Sequence, residues 1–160
     1  MIALLVLAGC GFEPLHGARQ RGPDGTSALR QIAIAPIPER LGQLLRIELT
    51  NRLTPKGPPQ SPAYVLNIKV RESIQNLGLR KDATATRANL IITADFTLTD
   101  TKTQEAVFTG DLRSINSYNI LDADFATLTA ESDARRRAAV DLATEIRSRL
   151  GLFLARPTRT

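Results

Sequence analysis

Hydrophobic positions change their period along this chain, and each change marks an element. Leu41, Leu45, Leu49 and Leu53 recur at every fourth residue with Leu44 beside them, a single apolar stripe that predicts an amphipathic helix. Arg40, Gln43, Arg46, Glu48 and Arg52 fall largely off that stripe. Glu39 stands at the helix start, where negative charge suits the helix dipole, and Thr54-Pro55-Lys56-Gly57-Pro58-Pro59 ends it. From Tyr64 the period becomes two. Tyr64, Leu66, Ile68 and Val70 alternate with Val65, Asn67, Lys69 and Arg71, as in a half-buried strand. The alternation weakens at Asn76-Leu77-Gly78, and Arg80-Lys81-Asp82 supplies a charged tip. A second long strand is predicted from about Thr86 to Thr99, with Ala88, Leu90, Ile92, Ala94, Phe96 and Leu98 on one face and Asn89, Thr93, Asp95, Thr97 and Thr99 on the other. Asp100 to Gln104 reads as a hairpin turn, and a third strand runs from Ala106 to Tyr118 with Phe108 and Leu112 facing the core. The period then returns to that of a helix, from about Asp124 to Leu154. Ala130, Ala134, Ala138, Leu142, Ile146 and Leu150 form its buried row, widened by Ala139 and Ala143.

Ahead of these elements, residues 29–37 place Ile32 and Ile34 between small residues and stop at Pro36 and Pro38, which suggests a short first strand. The order is strand, helix, three strands joined by short turns, helix. Two one-sided helices and a one-sided sheet have a simple solution, with both helices on the same face. The predicted fold is α+β: a two-layer sandwich with a four-stranded, mainly antiparallel sheet in the order β-α-β-β-β-α. It forms one domain over residues 29–155, followed by a frayed tail over 156–160.

The N-terminal residues obey a different logic. Ile2 to Ala8 is a short apolar run that leads into Leu7-Ala8-Gly9-Cys10, small residues directly before the only cysteine. That is the pattern of a bacterial lipobox, with residues 1–9 as signal peptide and Cys10 as the acylated first residue of the mature chain. Two or three acyl chains anchor a protein stably, at about 0.8 kcal/mol per buried CH₂. The competing reading of 1–10 is a buried first strand with a core cysteine. No basic n-region precedes Ile2, and the expectation is that the true start lies upstream. Residues 10–28 read as a lipidated N-terminus and flexible linker, since Gly11, Gly17, Gly22, Pro23 and Gly25 break any periodicity.

Composition narrows the chemistry. With 21 Lys+Arg against 16 Asp+Glu, the formal charge is +5, which favours anionic partners such as nucleic acid, an anionic membrane surface or a phosphorylated lipid. Aromatic residues make up only 4% and there is no Trp, which argues against the stacking platforms of single-strand nucleic-acid binders. The single histidine, His16, lies in the linker, so no Ser-His or Cys-His pair and no metal set is expected in the domain. No phosphate-binding glycine loop is present. Asp95, Asp100, Asp111, Glu131 and Asp133 are scattered, and Asp122 and Asp124 flank the last helix, where capping explains them. A non-enzymatic protein without metal or cofactor is expected, apart from the covalent lipid on Cys10. The remaining candidate is basic: Arg71, Arg80, Lys81 and Arg87, which a hairpin of the first two long strands would gather toward one end, against anionic phosphate groups.

Several stretches together resemble the LptE family of lipopolysaccharide-assembly lipoproteins in its alphaproteobacterial form. They are Leu7 to Gly17 with its Cys10-Gly11-Phe12-Glu13-Pro14-Leu15, Ile34-Ala35-Pro36-Ile37-Pro38-Glu39-Arg40 followed by Gly42-Gln43-Leu44-Leu45-Arg46, and Tyr64-Val65-Leu66-Asn67-Ile68. Asp82 to Arg87, Ser117-Tyr118-Asn119, Phe125-Ala126-Thr127 and Glu131-Ser132-Asp133-Ala134 complete the series. The resemblance implies an outer-membrane lipoprotein, lipid-anchored on the periplasmic side. It would help assemble and plug an LptD-type β-barrel and contact lipopolysaccharide, with no nucleic-acid partner. It agrees with two helices on a four-stranded sheet, and it leaves Arg71, Arg80, Lys81 and Arg87 as the lipid-contact candidates. Two other readings are an accessory lipoprotein of an ABC-type lipid transporter and a basic nucleic-acid-binding module.

Overall fold

A computed structural model of the chain describes residues 25–79 and 85–156. The elements are α1 (Gly25–Leu29), β1 (Ile32–Ile34), α2 (Glu39–Leu53), β2 (Tyr64–Leu79), β3 (Ala85–Asp100), β4 (Ala106–Asn119) and α3 (Asp124–Leu154). The sheet order is β1-β2-β3-β4. β2, β3 and β4 form an antiparallel meander, while β1 pairs parallel to β2 through Ile32–Tyr64 and Ile34–Leu66. The fold is therefore the expected α+β sandwich with a mainly antiparallel sheet. The parallel pairing follows from α2, which carries the chain back between β1 and β2.

Alternation decides which face of the sheet is covered. Leu66 and Ile68 of β2, the series Ala88 to Leu98 of β3, and Leu112, Ser114, Asn116 and Tyr118 of β4 are all buried. The intervening residues are not, so α2 and α3 share one face and the other is open. From α2 come Leu41, Leu45, Leu49 and Leu53, and from α3 come Ala134, Ala138, Ala139, Leu142, Ala143, Ile146 and Leu150. The alanines let the N-terminal half of α3 approach closely, and the branched side chains fill the wider gap toward its end. No described buried side-chain polar atom lacks a hydrogen-bond partner.

The first strand, Ile32–Ile34, is short as expected, since the prolines after it end the ladder. Two departures from the sequence reading are instructive. Residues 25–28, placed in the linker, join Leu29 in a short helix, because Leu29 is buried against the C-terminal end of α3 near Gly151. β2 continues through Asn76-Leu77-Gly78 to Leu79 because its partner β3 keeps register, with Leu77 opposite Arg87 and Leu79 opposite Ala85.

The two ends of the sheet differ. At one end lie β1, α1, the close of α3 and the β3–β4 turn. Asp100 Oδ1 accepts the N–H groups of Lys102 and Thr103 there, and Thr101 Oγ1 donates to Pro62 O at 2.8 Å. At the other end lie the last rungs of the β2–β3 hairpin, the close of β4 and the start of α3. Ile120 N donates to Thr86 O at 3.0 Å, which ties the chain after β4 to that hairpin.

Gly110 stands opposite Phe96 in the β3–β4 ladder, and the Phe96 ring lies flat over it: a Cβ at Gly110 would meet Cζ at 2.6 Å and Cε1 at 2.9 Å. Phe96 in turn contacts Phe108, centroids 5.9 Å apart, and Phe108 stacks on Phe153 of α3 at 4.8 Å. A side chain at Gly110 must displace this aromatic chain. Gly110→Ala should destabilise the domain by about 1–3 kcal/mol, the usual range for overpacking. Urea denaturation would show the loss as a lower midpoint with an unchanged slope.

Candidate functional site

Among the described residues, no group of three or more His, Cys, Asp or Glu is placed to hold a metal ion. No described helix is long and apolar enough to cross a membrane. What the described surface offers is charge, exposed apolar groups and unpaired backbone.

The basic candidates separate. Arg80 and Lys81, like the acylation candidate Cys10, lie outside the described residues. Arg87 is exposed on the last rungs of the hairpin, opposite Leu77 and Asn119. Arg71 sits opposite Thr93, six residues back along β2 from Leu77. At about 3.3 Å per residue the two arginines are roughly 20 Å apart. Arg71 is also engaged, with Nη2 2.7 Å from Asp95 Oδ2. The expected gathering of Arg71 with the tip residues is therefore corrected, because register places it in mid-strand. Around it the open face balances its charge: Lys69, Asp95 and Asp111 share one rung, and Arg71, Thr93 and Arg113 the next. Such exposed pairs contribute little stability, and this one sets Arg71 beside a carboxylate in mid-strand rather than among the tip residues.

The hairpin end carries a feature that the sequence reading missed. Leu121 is 49% exposed, Phe125 83% and Leu128 64%. Arg137 of α3 reaches the β4 rung of Ser117 through a hydrogen bond to its carbonyl. Asp124 begins α3 thirteen residues earlier, about 20 Å at 1.5 Å per residue. The first turns of α3 thus run past the end of β4, as the β2–β3 hairpin does. Phe125 and Leu128 lie on this overhang. Thr127 fixes the turn before it: its Oγ1 accepts the Leu121 N–H at 2.9 Å and donates to Leu121 O at 3.0 Å. The N-cap position is Ala123, without a side-chain cap, so Asp124 acts only by its charge in the first turn. The signal available in the sequence was that Phe125 and Leu128 fall off the row of Ala130, Ala134 and Ala138.

The overhanging parts are fastened by one ion cluster. Arg135 of α3 donates from Nε to Glu72 Oε2 at 3.0 Å and from Nη2 to Glu72 Oε1 at 2.7 Å, and it also pairs with Glu131. The two-pronged bond to Glu72, ahead of the charge of Glu131, raises the pKa of Arg135 and holds it charged. It links mid-β2 to α3 across the helix-covered face. Beside it, Ile74 of β2 is 47% exposed. Tyr118 lies close by, buried; burial first, and then the negative charge of Glu131, push its phenol above the ordinary 10.0, with Arg135 acting in the opposite sense.

Comparison with known proteins places this geometry. The sequence model of the family LptE, described as lipopolysaccharide-assembly, matches residues 29–150. A search of curated proteins gives no significant match. Among solved structures, a lipoprotein from Caulobacter crescentus CB15 is 28% identical with a TM-score of 0.68, over 83% of this chain and 97% of that one. A minor lipoprotein from Acinetobacter baumannii shares the fold at 20% identity and TM-score 0.59, covering 78% of this chain and 94% of the other. The rare lipoprotein B of Shewanella oneidensis does so at 13% and 0.58, over 76% and 92%.

The raised pKa of Tyr118 has a sign that can be checked. A phenol that stays neutral longer in the folded state contributes stability in full below pH 10, lost as pH climbs through the folded value. The chain has two tyrosines, so Tyr64→Phe leaves Tyr118 as the only reporter. Its absorbance titration should have a midpoint above 10.0, and Glu131→Gln should bring that midpoint down.

Proposed function

The chain belongs to the LptE family of lipopolysaccharide-assembly proteins, and we propose that it is a lipid-anchored outer-membrane subunit. In this reading it assists assembly of, and sits as a plug within, the LptD-type β-barrel that inserts lipopolysaccharide into the outer leaflet. The role is non-catalytic: the protein occupies space, holds a barrel and presents a surface to an amphiphile. The observation that carries the reading is the family match over residues 29–150, which spans the whole sheet, α2 and all but the last turn of α3.

The hairpin end supports the lipid part of the proposal. An amphiphile with phosphorylated sugars and acyl chains needs cations and apolar surface side by side. Arg87 and the exposed Leu121, Phe125 and Leu128 lie at one end, and Arg80 and Lys81 belong to the same hairpin in sequence. Arg71, paired with Asp95, takes no part. Cys10 supplies the anchor: its thiol takes the diacylglyceryl group, and removal of residues 1–9 then leaves it as the first residue of the mature chain.

Mass spectrometry of the mature protein should find an acylated Cys10 as the first residue, and an unmodified Cys10 with Met1 retained would sink the anchor. Depletion should leave the barrel misassembled and lipopolysaccharide stranded inside the outer membrane, whereas a normal barrel with an intact permeability barrier would count against the reading. Charge reversal of Arg87, Arg80 and Lys81 together should weaken lipopolysaccharide capture by roughly an order of magnitude, as expected from losing one or two charge-assisted bonds. Arg71→Glu should leave capture unchanged.

A further inference from the structure

β4 is the last strand of the sheet, and its outer edge is only partly covered. In an antiparallel ladder, residues of one parity bond to the neighbouring strand and those of the other turn their N–H and C=O outward. The even-numbered residues face β3, as the Ile120 N–H to Thr86 O bond at the end of the ladder shows. The odd-numbered residues face out. Two arginines of α3 reach around to cover outward carbonyls: Arg149 Nη1 donates to Asp111 O at 3.1 Å, and Arg137 Nη2 donates to Ser117 O at 3.2 Å. Between these caps, the outward N–H and C=O groups of Arg113 and Ile115 have no hydrogen-bond partner among the described residues.

A cavity of about 470 Å³ opens at this window, lined by Arg113, Ser114, Ile115, Asp141, Thr144 and Glu145. Its charges are distributed by face. On the helix side, Asp141 accepts from Ser114 Oγ at 3.3 Å and Asn116 Nδ2 at 3.4 Å and has no ion-pair partner among the described residues. Glu145 beside it is paired with Arg149 at 3.0 Å. On the open face, Arg113 likewise has no described partner, and Ile115 is 52% exposed next to Ile91.

We propose that the Arg113–Ile115 window docks an extended polypeptide segment of a partner protein, which adds antiparallel to β4 as a short fifth strand. Main-chain bonds to Arg113 and Ile115 hold it, and side chains select it. The residue opposite Ser114 points to the helix side, toward Asp141, and must be basic. Those opposite Arg113 and Ile115 point to the open face and must be acidic and apolar, respectively. Read in its own direction, the incoming strand carries apolar–basic–acidic. The arginine caps limit its length, since a longer strand meets Arg149 at one side and Arg137 at the other. A second copy of this chain fits poorly. Two-fold pairing about Ser114 sets Arg113 against Ile115 and brings the Asp141 carboxylates of both copies to one side. The inference stands independently of lipopolysaccharide contact.

The test is a titration of the isotope-labelled full chain with a blocked peptide centred on Val-Lys-Glu, followed by NMR. The amide signals of Arg113 and Ile115 should shift and their hydrogen exchange should slow. A peptide centred on Val-Glu-Lys should bind at least about tenfold more weakly. Ile115→Pro deletes an outward N–H without breaking a bond to β3 and should abolish the effect. Should that variant fold poorly, Asp141→Asn keeps a partner for Ser114 and Asn116 and should erase the preference between the peptides. Unchanged Arg113 and Ile115 amides, or equal binding of both peptides by the native chain, would overturn the proposal. So would concentration-dependent slowing of exchange at those amides without peptide, which would put a second copy on the edge.

Discussion

Burial of one face of β3 beneath two helices is the interaction on which the rest of the fold depends. β3 is flanked along most of its length by β2 and β4, and its residues Ala88, Leu90, Ile92, Ala94 and Leu98 have no solvent exposure. Removing each of the Leu and Ile side chains from water contributes about 1.5–3 kcal/mol. The leucine stripe of α2 and the alanine-to-leucine row of α3 exist to meet that face. Once both helices are committed to it, the other face stays open, and its rungs carry threonines and alternating charges. The edges are committed too. β1 protects β2 only at Tyr64–Leu66, and α3 protects β4 with two arginine side chains.

That division of labour explains why stability and recognition occupy different parts of the molecule. The core is sealed, with no buried side-chain polar atom unsatisfied among the described residues. The groups left for a partner sit where elements outrun their neighbours: along the outer edge of β2 beyond Leu66, on the overhanging start of α3, and in the gap between Arg137 and Arg149 on β4. A fully self-satisfied sandwich would offer a partner nothing but exposed charge.

Period alone was enough to read the long elements. The row from Ala130 to Leu150 marked α3 with its observed ends, and the alternation from Ala88 to Leu98 marked β3 and its buried face. It failed where burial does not select residue type. Asn76-Leu77-Gly78 breaks the alternation because that stretch of β2 has no helix over it. α1 was read as linker because a single apolar residue, Leu29, carries its only packing signal. The direction of β1 left no trace in three residues. For the site, periodicity placed Arg71 and Arg87 on the same strand face, but only the register showed that Arg71 lies opposite Thr93 and diagonal to Asp95. The caps on β4 depend on how α3 is rotated about its axis, which no spacing rule records. Phe125 and Leu128 could be seen to leave the buried row, but not to be stranded past the end of β4.

The seating of Leu29 against the end of α3 fixes where the chain enters the domain. Gly25 begins α1 at the pole shared by β1 and the β3–β4 turn, while Phe125 and Arg87 occupy the opposite pole. β3 alone, at sixteen residues, sets those poles about 50 Å apart. Fourteen residues lie between Cys10 and Gly25, a connection that can span at most about 50 Å. The domain therefore has a root and a free end. In the proposed reading a lipid at Cys10 moors the root, and the apolar and basic groups lie at the far end of a domain about as long as that connection can reach.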